Sequence, residues 1–337
     1  MNTQAARLFK YSKNDPEIKV VETPLAKLQE DDLLVEVLNA GVNPLDNLIA
    51  HGEVKLVVPY KLPQTMGNEF VGIVKQVGAK VTDFKVGDRV FARNPLDNIG
   101  AFAGELVIKQ AAVAKVPEYL TNPEAAAVPL TALTAMQALE LMNFKPGQTL
   151  FISGGTGSFG AMAIPIAVAK GLKVVTNGSG AKKEEVEKLG VSQFIDYKKE
   201  NYWDVLSNVD FVIDTLGGDN IEKEMSIMKP GGVLVTLRGM PNKAFAKSMG
   251  MSKAKQMLFG MAGGAKMDRL AKKYGVTYHF IFVHADGKQL KEASEILAQK
   301  EIRPALGKHF TLDQTQAAME QVAKGGNAGK IILDINK

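Results

Sequence analysis

The chain contains no cysteine. That excludes disulfides and every metal site built on thiolates. Its four histidines, His51, His279, His284 and His309, are scattered, with no paired-ligand spacing. No bound metal is therefore expected. No apolar run reaches the roughly 20 residues needed to cross a bilayer. Residues 1–10 lack the apolar core of a secretory leader. Low-complexity tracts and internal repeats are missing too. The expectation is a cytoplasmic protein with no membrane partner.

What is present is ordinary globular composition: 337 residues, 46% hydrophobic and 23% charged, enough for two domains. The net charge of +5 suggests nucleic acid at first sight. Its distribution argues otherwise. Residues 241–275 hold eight Lys/Arg against one acid, Asp268, so this segment alone carries +7 and the rest of the chain is near −2. The basic bias is local and asks for a local explanation.

Residues 1–122 read as β-rich. Apolar or β-branched runs at 33–38, 70–77 and 89–92 are bounded by Gly, Pro, Asn and Asp. Gly41, Gly67, Gly72, Gly78 and Gly87 punctuate them, which suits a small barrel-like fold. From Pro123 an alanine-rich stretch, 124–141, turns helical. From Thr149 short strands alternate with helices: strands at 149–152, 173–176, 193–196, 210–214, 233–237 and 279–283, helices at 161–170, 182–189 and 220–228. Short apolar strands joined by helices predict a parallel sheet covered on both faces. The tail predicts helices at 288–299 and 312–323 and a last strand at 330–335.

The segment Phe151-Ile-Ser-Gly-Gly-Thr-Gly-Ser-Phe-Gly160 carries GxGxxG at Gly155, Gly157 and Gly160. Alone the pattern is weak. Here it follows a strand and opens a helix, the context that makes it a dinucleotide fingerprint. The glycines allow a tight turn, close approach to a pyrophosphate and close helix–strand packing. The helix amino end then offers N–H groups to the anion. An NAD site places an acid at the end of the second strand, near 176–183 here. This chain has Ser179, Lys182 and Lys183 there and no acid. That favours NADP(H), whose 2′-phosphate a lysine attracts. A solvated helix start is the other reading of these lysines.

The chain resembles the medium-chain dehydrogenase/reductase superfamily, in its zinc-free quinone-oxidoreductase branch. The resemblance rests on Gly41-Val-Asn-Pro-Leu-Asp46, Leu62-Pro-Gln-Thr-Met-Gly-Asn-Glu-Phe-Val-Gly-Ile-Val74, Gly87-Asp-Arg-Val-Phe91, Val128-Pro-Leu-Thr-Ala-Leu-Thr134, the glycine loop, Ile195-Asp-Tyr197 and Gly325-Gly-Asn-Ala-Gly-Lys330. It implies an α/β fold in which a Rossmann NADP(H)-binding domain, 124–284, is inserted in a GroES-like β-rich substrate domain, 1–123 and 285–337. Zinc-dependent relatives place a Cys near Pro44 and a His where this chain has Asn68. By the same resemblance, Gly155, Thr156, Gly157, Ser158, Phe159 and Gly160 line the pyrophosphate. Ser179, Lys182 and Tyr197 meet the 2′-phosphate and adenosine, and Leu216 and Gly217 the adenosine ribose. Asn43 and Thr131 lie near the nicotinamide, Phe282 and Val283 at the strand end beside its carboxamide, and Lys330 approaches the cofactor. Relatives often have Tyr where this chain has Leu48, so a tyrosine role is in doubt.

The implied activity is hydride transfer from NADPH to a quinone or an α,β-unsaturated carbonyl compound, without zinc. Charge developing on the acceptor oxygen must then be met by hydrogen bonds, and Asn43 is the candidate catalytic side chain. Asp46 reads as orienting or structural. The alternative is an NADPH-binding sensor or RNA-binding protein with little turnover, motivated by the basic segment. Only Phe245, Phe259 and Tyr274 interleave with its cations, which is thin for nucleic acid. The resemblance also implies a homodimer joined through the strand at 279–283. Residues 240–275 contain six of fourteen methionines, Met240, Met249, Met251, Met257, Met261 and Met267. They predict an amphipathic helix that is either packed on the sheet or a flexible wall for an apolar substrate.

Overall fold

In this computed structural model the described residues are 1–336, apart from the side chain of Ala262; the last residue of the expected 285–337 range lies outside them. The chain divides into two compact units. One is Met1–Leu133 with the segment from His284 onward, and the other is Thr134–Val283. The first parting falls about one helix later than the Pro123 boundary expected above. The reason is local: residues 122–126 form a helix that packs on strands of the first unit.

The first unit opens with strands β1 (Asn2–Lys10), β2 (Glu17–Pro24) and β3 (Asp32–Val42). Helix α1 (Pro44–Ala50) follows, started by a capping box between Asn43 and Asp46 and by Pro44 in its first turn. Then come β4 (Gln64–Thr65), β5 (Glu69–Val77), β6 (Arg89–Arg93), β7 (Glu105–Lys109) and β8 (Val113–Lys115). The close approach of β3 and β5 depends on Gly72, where a Cβ would lie 2.3 Å from the Glu36 carbonyl oxygen. The expected alanine-rich helix is two helices, α2 (Asn122–Ala126) and α3 (Pro129–Met142). Pro129 accounts for the break, since it disfavours helical geometry at the residue before it.

The second unit holds β9 (Thr149–Ile152), α4 (Ser158–Ala169), β10 (Lys173–Gly178), α5 (Lys183–Glu187), β11 (Gln193–Asp196), α6 (Tyr202–Val205), β12 (Val209–Asp214), α7 (Asn220–Ser226) and β13 (Met228–Thr236). The last of these strands begins at Met228, earlier than expected. Helices α8 (Lys243–Ser248), α9 (Lys253–Phe259) and α10 (Ala262–Tyr274) replace the single amphipathic helix, and β14 (Thr277–Phe280) closes the unit. Gly250 and Gly260 separate the three helices, and Gly275, at φ +67°, caps α10 in the left-handed region. The six strands form one parallel sheet in the order β11-β10-β9-β12-β13-β14, the doubly wound 3-2-1-4-5-6 arrangement. Phe151, Val212 and Leu234 lie at the centre of its core.

The chain then returns to the first unit through α11 (Gly287–Ala298), β15 (Leu306–Thr311), α12 (Thr315–Lys324) and β16 (Lys330–Asp334). Its larger sheet runs β15-β16-β3-β5-β6-β8, with β7 also paired to β3, and its smaller one β2-β1-β4. Asp286 caps α11 by accepting from the Lys288 and Gln289 amides. At Gly287 the helix lies against β8 so closely that a Cβ would sit 2.3 Å from the Val113 carbonyl oxygen. Gly287→Ala should therefore cost about 1–3 kcal/mol by overpacking. Urea unfolding measures it, and an unchanged midpoint would show that this contact does not constrain the returning segment.

Candidate active site and nucleotide cradle

The glycine loop connects β9 to α4, and its glycines have distinct tasks. A Cβ on Gly155 would lie 2.0 Å from Thr176 Oγ1, and one on Gly160 would lie 2.2 Å from the Gly155 carbonyl oxygen. Both positions are closed by protein. Gly157 is different: a Cβ there would meet only the Gly154 carbonyl oxygen, at 3.4 Å. Space therefore lies in front of the helix start. The first helical bond of α4 runs from Ala161 N–H to the Gly157 carbonyl, so the amides of Ser158, Phe159 and Gly160 precede the helical ladder. This is the geometry of an anion site. Gly154, at φ +68°, adds a turn glycine that the motif does not contain. Its amide donates to Asn177 Oδ1 at 2.8 Å, which ties the loop to β10.

Thr156 packs on β10 as well, since a Cβ on Gly178 would meet its methyl group at 2.1 Å. Ser179 and Lys182 follow directly, and the Tyr197 amide donates to the Gly178 carbonyl. The expected adenosine-side residues thus share one region of the second unit. An acid that sequence reasoning did not weigh is also there: Asp196, at the end of β11, lies 2.2 Å from where a Gly180 Cβ would be. Strand pairing of β10 with β11, Gly178 opposite Asp196, is the feature that brings it close. Asp214, another unweighed acid, is fully buried and holds the Leu216–Gly217 turn by accepting from both amides at 2.8 and 2.7 Å. Phe282 and Val283 follow β14 rather than ending a strand, because β14 stops at Phe280.

The first unit contains Asn43, Thr131 and Lys330. Two of them meet. Lys330 Nζ lies 2.5 Å from Glu69 Oε1 and donates to Asn43 Oδ1 at 2.5 Å. Asn43 Nδ2 donates to Glu69 Oε1 at 2.9 Å and to the Gly41 carbonyl at 3.2 Å. Glu69 Oε2 accepts from the Leu130 amide at 2.7 Å. All three side chains are buried. Lys330, expected beside the cofactor, thus spends its charge on Glu69. Thr131 lies apart from this cluster's hydrogen bonds; its hydroxyl donates to the carbonyls of Ala127 and Val128.

Asp46 extends the network. It accepts from the Asn43 amide at 2.8 Å and from Asn68 Nδ2 at 2.7 Å. Burial pushes its carboxyl up to about 7, against the pull of these two bonds and of the Lys330 charge. Arg93, opposite Glu69 in the β5–β6 register, is fully buried, and burial lowers it to about 10. Its Nη1 donates to the Asn94 carbonyl. Sequence reasoning missed Arg93 because it ends an apolar strand where only the fold shows what surrounds it. Among the described residues no group of three or more His, Asp and Glu could hold a metal ion.

Residues 29–130 match the alcohol dehydrogenase GroES-like domain, and residues 189–333 match the zinc-binding dehydrogenase domain. The chain belongs to the medium-chain dehydrogenase/reductase family, a family of oxidoreductases. Within it, the similarities point to the quinone-oxidoreductase branch. The chain is 26% identical over 349 aligned positions to the quinone oxidoreductase of Pongo abelii, covering 98% of this chain and 97% of that one. It is 32% identical over 221 positions to the chloroplastic NADPH-dependent alkenal/one oxidoreductase of Arabidopsis thaliana, covering 63% of this chain and 56% of that one. The solved quinone oxidoreductase from Coxiella burnetii shares the fold, with a TM-score of 0.82 at 23% identity over the full length of both chains. The fold is a Rossmann domain inserted in a GroES-like β-rich domain.

Two outcomes follow from the buried network. Lys330→Met leaves the Glu69 carboxylate buried without its cation and should cost about 3–5 kcal/mol in urea unfolding; a loss near zero would show that the pair does not hold Glu69. Asp46 gives a pH signature. Its folded value is raised above 3.8, so its contribution to stability is complete below about pH 4 and is lost as pH rises toward 7. The stability advantage of the wild type over Asp46→Asn should narrow across that window, by at most about 1.4 kcal/mol per pH unit. Parallel curves would mean that Asp46 ionises as it does in the unfolded chain.

Proposed function

We propose that this protein is an NADPH-dependent reductase of quinones or α,β-unsaturated carbonyl compounds that works without zinc. The observation that carries the reading is the glycine cradle: open space at Gly157 in front of the first amides of α4, with Ser179 and Lys182 in the turn that follows β10. The cradle fits a dinucleotide, because a Cβ at Gly157 would occupy space that a pyrophosphate needs. The names of the two relatives support the acceptor class and the choice of NADPH.

In this reading Thr156, Ser158 and Phe159 hold the pyrophosphate with the loop glycines. Ser179, Lys182 and Tyr197 take the 2′-phosphate and adenosine, and Leu216 and Gly217 the ribose. Thr131, Phe282 and Val283 serve the nicotinamide end, and Lys330, paired with Glu69, approaches the cofactor. Bound NADPH supplies the hydride. Asn43 is assigned to the acceptor side as a positioning residue, since its amide hydrogens go to Glu69 and Gly41 and its oxygen accepts from Lys330. The zinc-free reading rests on the donor set: Asn68 gives its amide nitrogen to Asp46, and Pro44 offers no ligand atom. The reading includes a cytoplasmic homodimer joined along β14, the edge strand of the parallel sheet.

NADPH and NADH oxidation with a panel of quinones, enals and enones, with and without a chelator, tests this. Turnover should prefer NADPH and survive chelation. Lys182→Ala should weaken NADPH binding by about 1.5–3 kcal/mol and leave NADH binding nearly unchanged. An unchanged preference would remove Lys182 from the site. Activity abolished by the chelator and restored by zinc would end the zinc-free reading, and absence of turnover would favour a nucleotide-binding sensor.

A further inference from the structure

Helix α9 has no buried side chain. Met257 is 67% exposed, Leu258 47% and Met261 53%, and Met240 is 52% exposed. These four residues belong to one surface. A Cβ on Gly263 would lie 2.7 Å from the Met240 side chain, and one on Gly260 would lie 3.3 Å from Lys243 Cβ, so the start of α10, the end of α9 and the start of α8 adjoin. Helices are normally amphipathic because one face is covered. Here apolar side chains stand outward together. Exposed cations lie on all three helices: Lys243 and Lys247 on α8, Lys253 on α9, and Lys266, Arg269 and Lys272 on α10. The only acid of the segment, Asp268, accepts from Asn242 Nδ2 at 2.7 Å.

We propose that this α8–α10 surface docks the protein on an anionic lipid bilayer. Methionine and leucine would enter the boundary between headgroups and acyl chains while the cations meet the lipid phosphates and carboxylates. The sequence carries no spanning segment, and no helix of the described residues is long and apolar enough to cross a membrane. Peripheral docking needs neither. A bilayer fits this surface better than a folded protein partner for two reasons. Protein interfaces are depleted in lysine, whereas interfacial membrane helices are rich in it. The polar groups of α9 are also spent internally: Ser252 caps the Lys255 amide and Gln256 Nε2 donates to the Met251 carbonyl. Little is left to specify a partner by hydrogen bonding. The inference does not rest on the identity of the electron acceptor, and its readout is binding alone.

The test is flotation of the full chain with vesicles of phosphatidylcholine, and of phosphatidylcholine with about a third phosphatidylserine. Binding should appear with the anionic vesicles only and weaken as salt is raised. The triple change Met257→Ser, Leu258→Ser and Met261→Ser, and separately Lys243→Glu with Lys247→Glu and Lys253→Glu, should each lower partitioning roughly tenfold or more, with unchanged circular dichroism. The absence of cysteine permits a second measurement on a minimally altered protein. Met257→Cys labelled with an environment-sensitive dye should shift to the blue on anionic vesicles. Leu141→Cys, beside Met142 at the opposite ends of the strands, should not. No binding to anionic vesicles at low salt would overturn the proposal. So would binding that the substitutions leave intact, equal shifts at both labelled positions, or a patch substitution that changes only self-association in sedimentation.

Discussion

A carboxylate removed from water must find a cation, several donors or a proton. Glu69 is fully buried in the β-rich unit, and its solution is Lys330. The two residues are 261 positions apart, and each is placed by a strand, Glu69 by β5 and Lys330 by β16. Asn43 bridges them from the start of α1, and Gly41 makes room, since a Cβ there would come within 2.9 Å of Lys330 Cε and 2.6 Å of Glu69 Oε1. Much of the rest follows. The returning C-terminal segment must add β16 beside β3 for the cation to arrive. The capping box of α1 must orient Asn43 and Asp46 together. The parallel-sheet unit is inserted between β8 and β15, and the returning chain packs back on β8 at Gly287.

The fold was legible in sequence where periodicity and punctuation agree. Strands β9 to β12 fall within a residue or two of the expected runs because each is short, apolar and bounded by Gly, Pro or a charged helix start. Legibility failed where chain geometry overrides local pattern. Residues 279–283 look like one apolar strand, yet pairing ends at Phe280 because the partner strand β13 ends at Thr236. The methionine-rich segment reads as one amphipathic helix, yet Gly250 and Gly260 cut it into three. In the site, the glycine loop was readable because each glycine answers a local steric demand. Asp196 and Arg93 were not, because their neighbours are set by strand register, Gly178 opposite Asp196 and Glu69 opposite Arg93.

Among the described residues four acids are fully buried, and their sequence contexts do not distinguish them: Asp46, Glu69, Asp214 and Glu224. The structure gives each a different answer. Glu69 takes a lysine. Asp214 takes two backbone amides and the Thr236 hydroxyl at 2.5 Å, and so sets the turn that carries Leu216 and Gly217. Glu224 lies beside Ser153 and Asp214 without a well-formed hydrogen bond to either oxygen, and burial, reinforced by the Asp214 charge, raises it well above the usual carboxyl range. A protonated acid is the state that such surroundings favour. Asp46 lies between these extremes, with two donors, a nearby cation and complete burial, and comes out near neutrality. The donors available within hydrogen-bond reach therefore decide whether a buried acid is an anchor, a turn-former or a neutral core group. Asp46, raised to about 7, can change by one proton near neutral pH, and it is hydrogen-bonded to both Asn43 and Asn68.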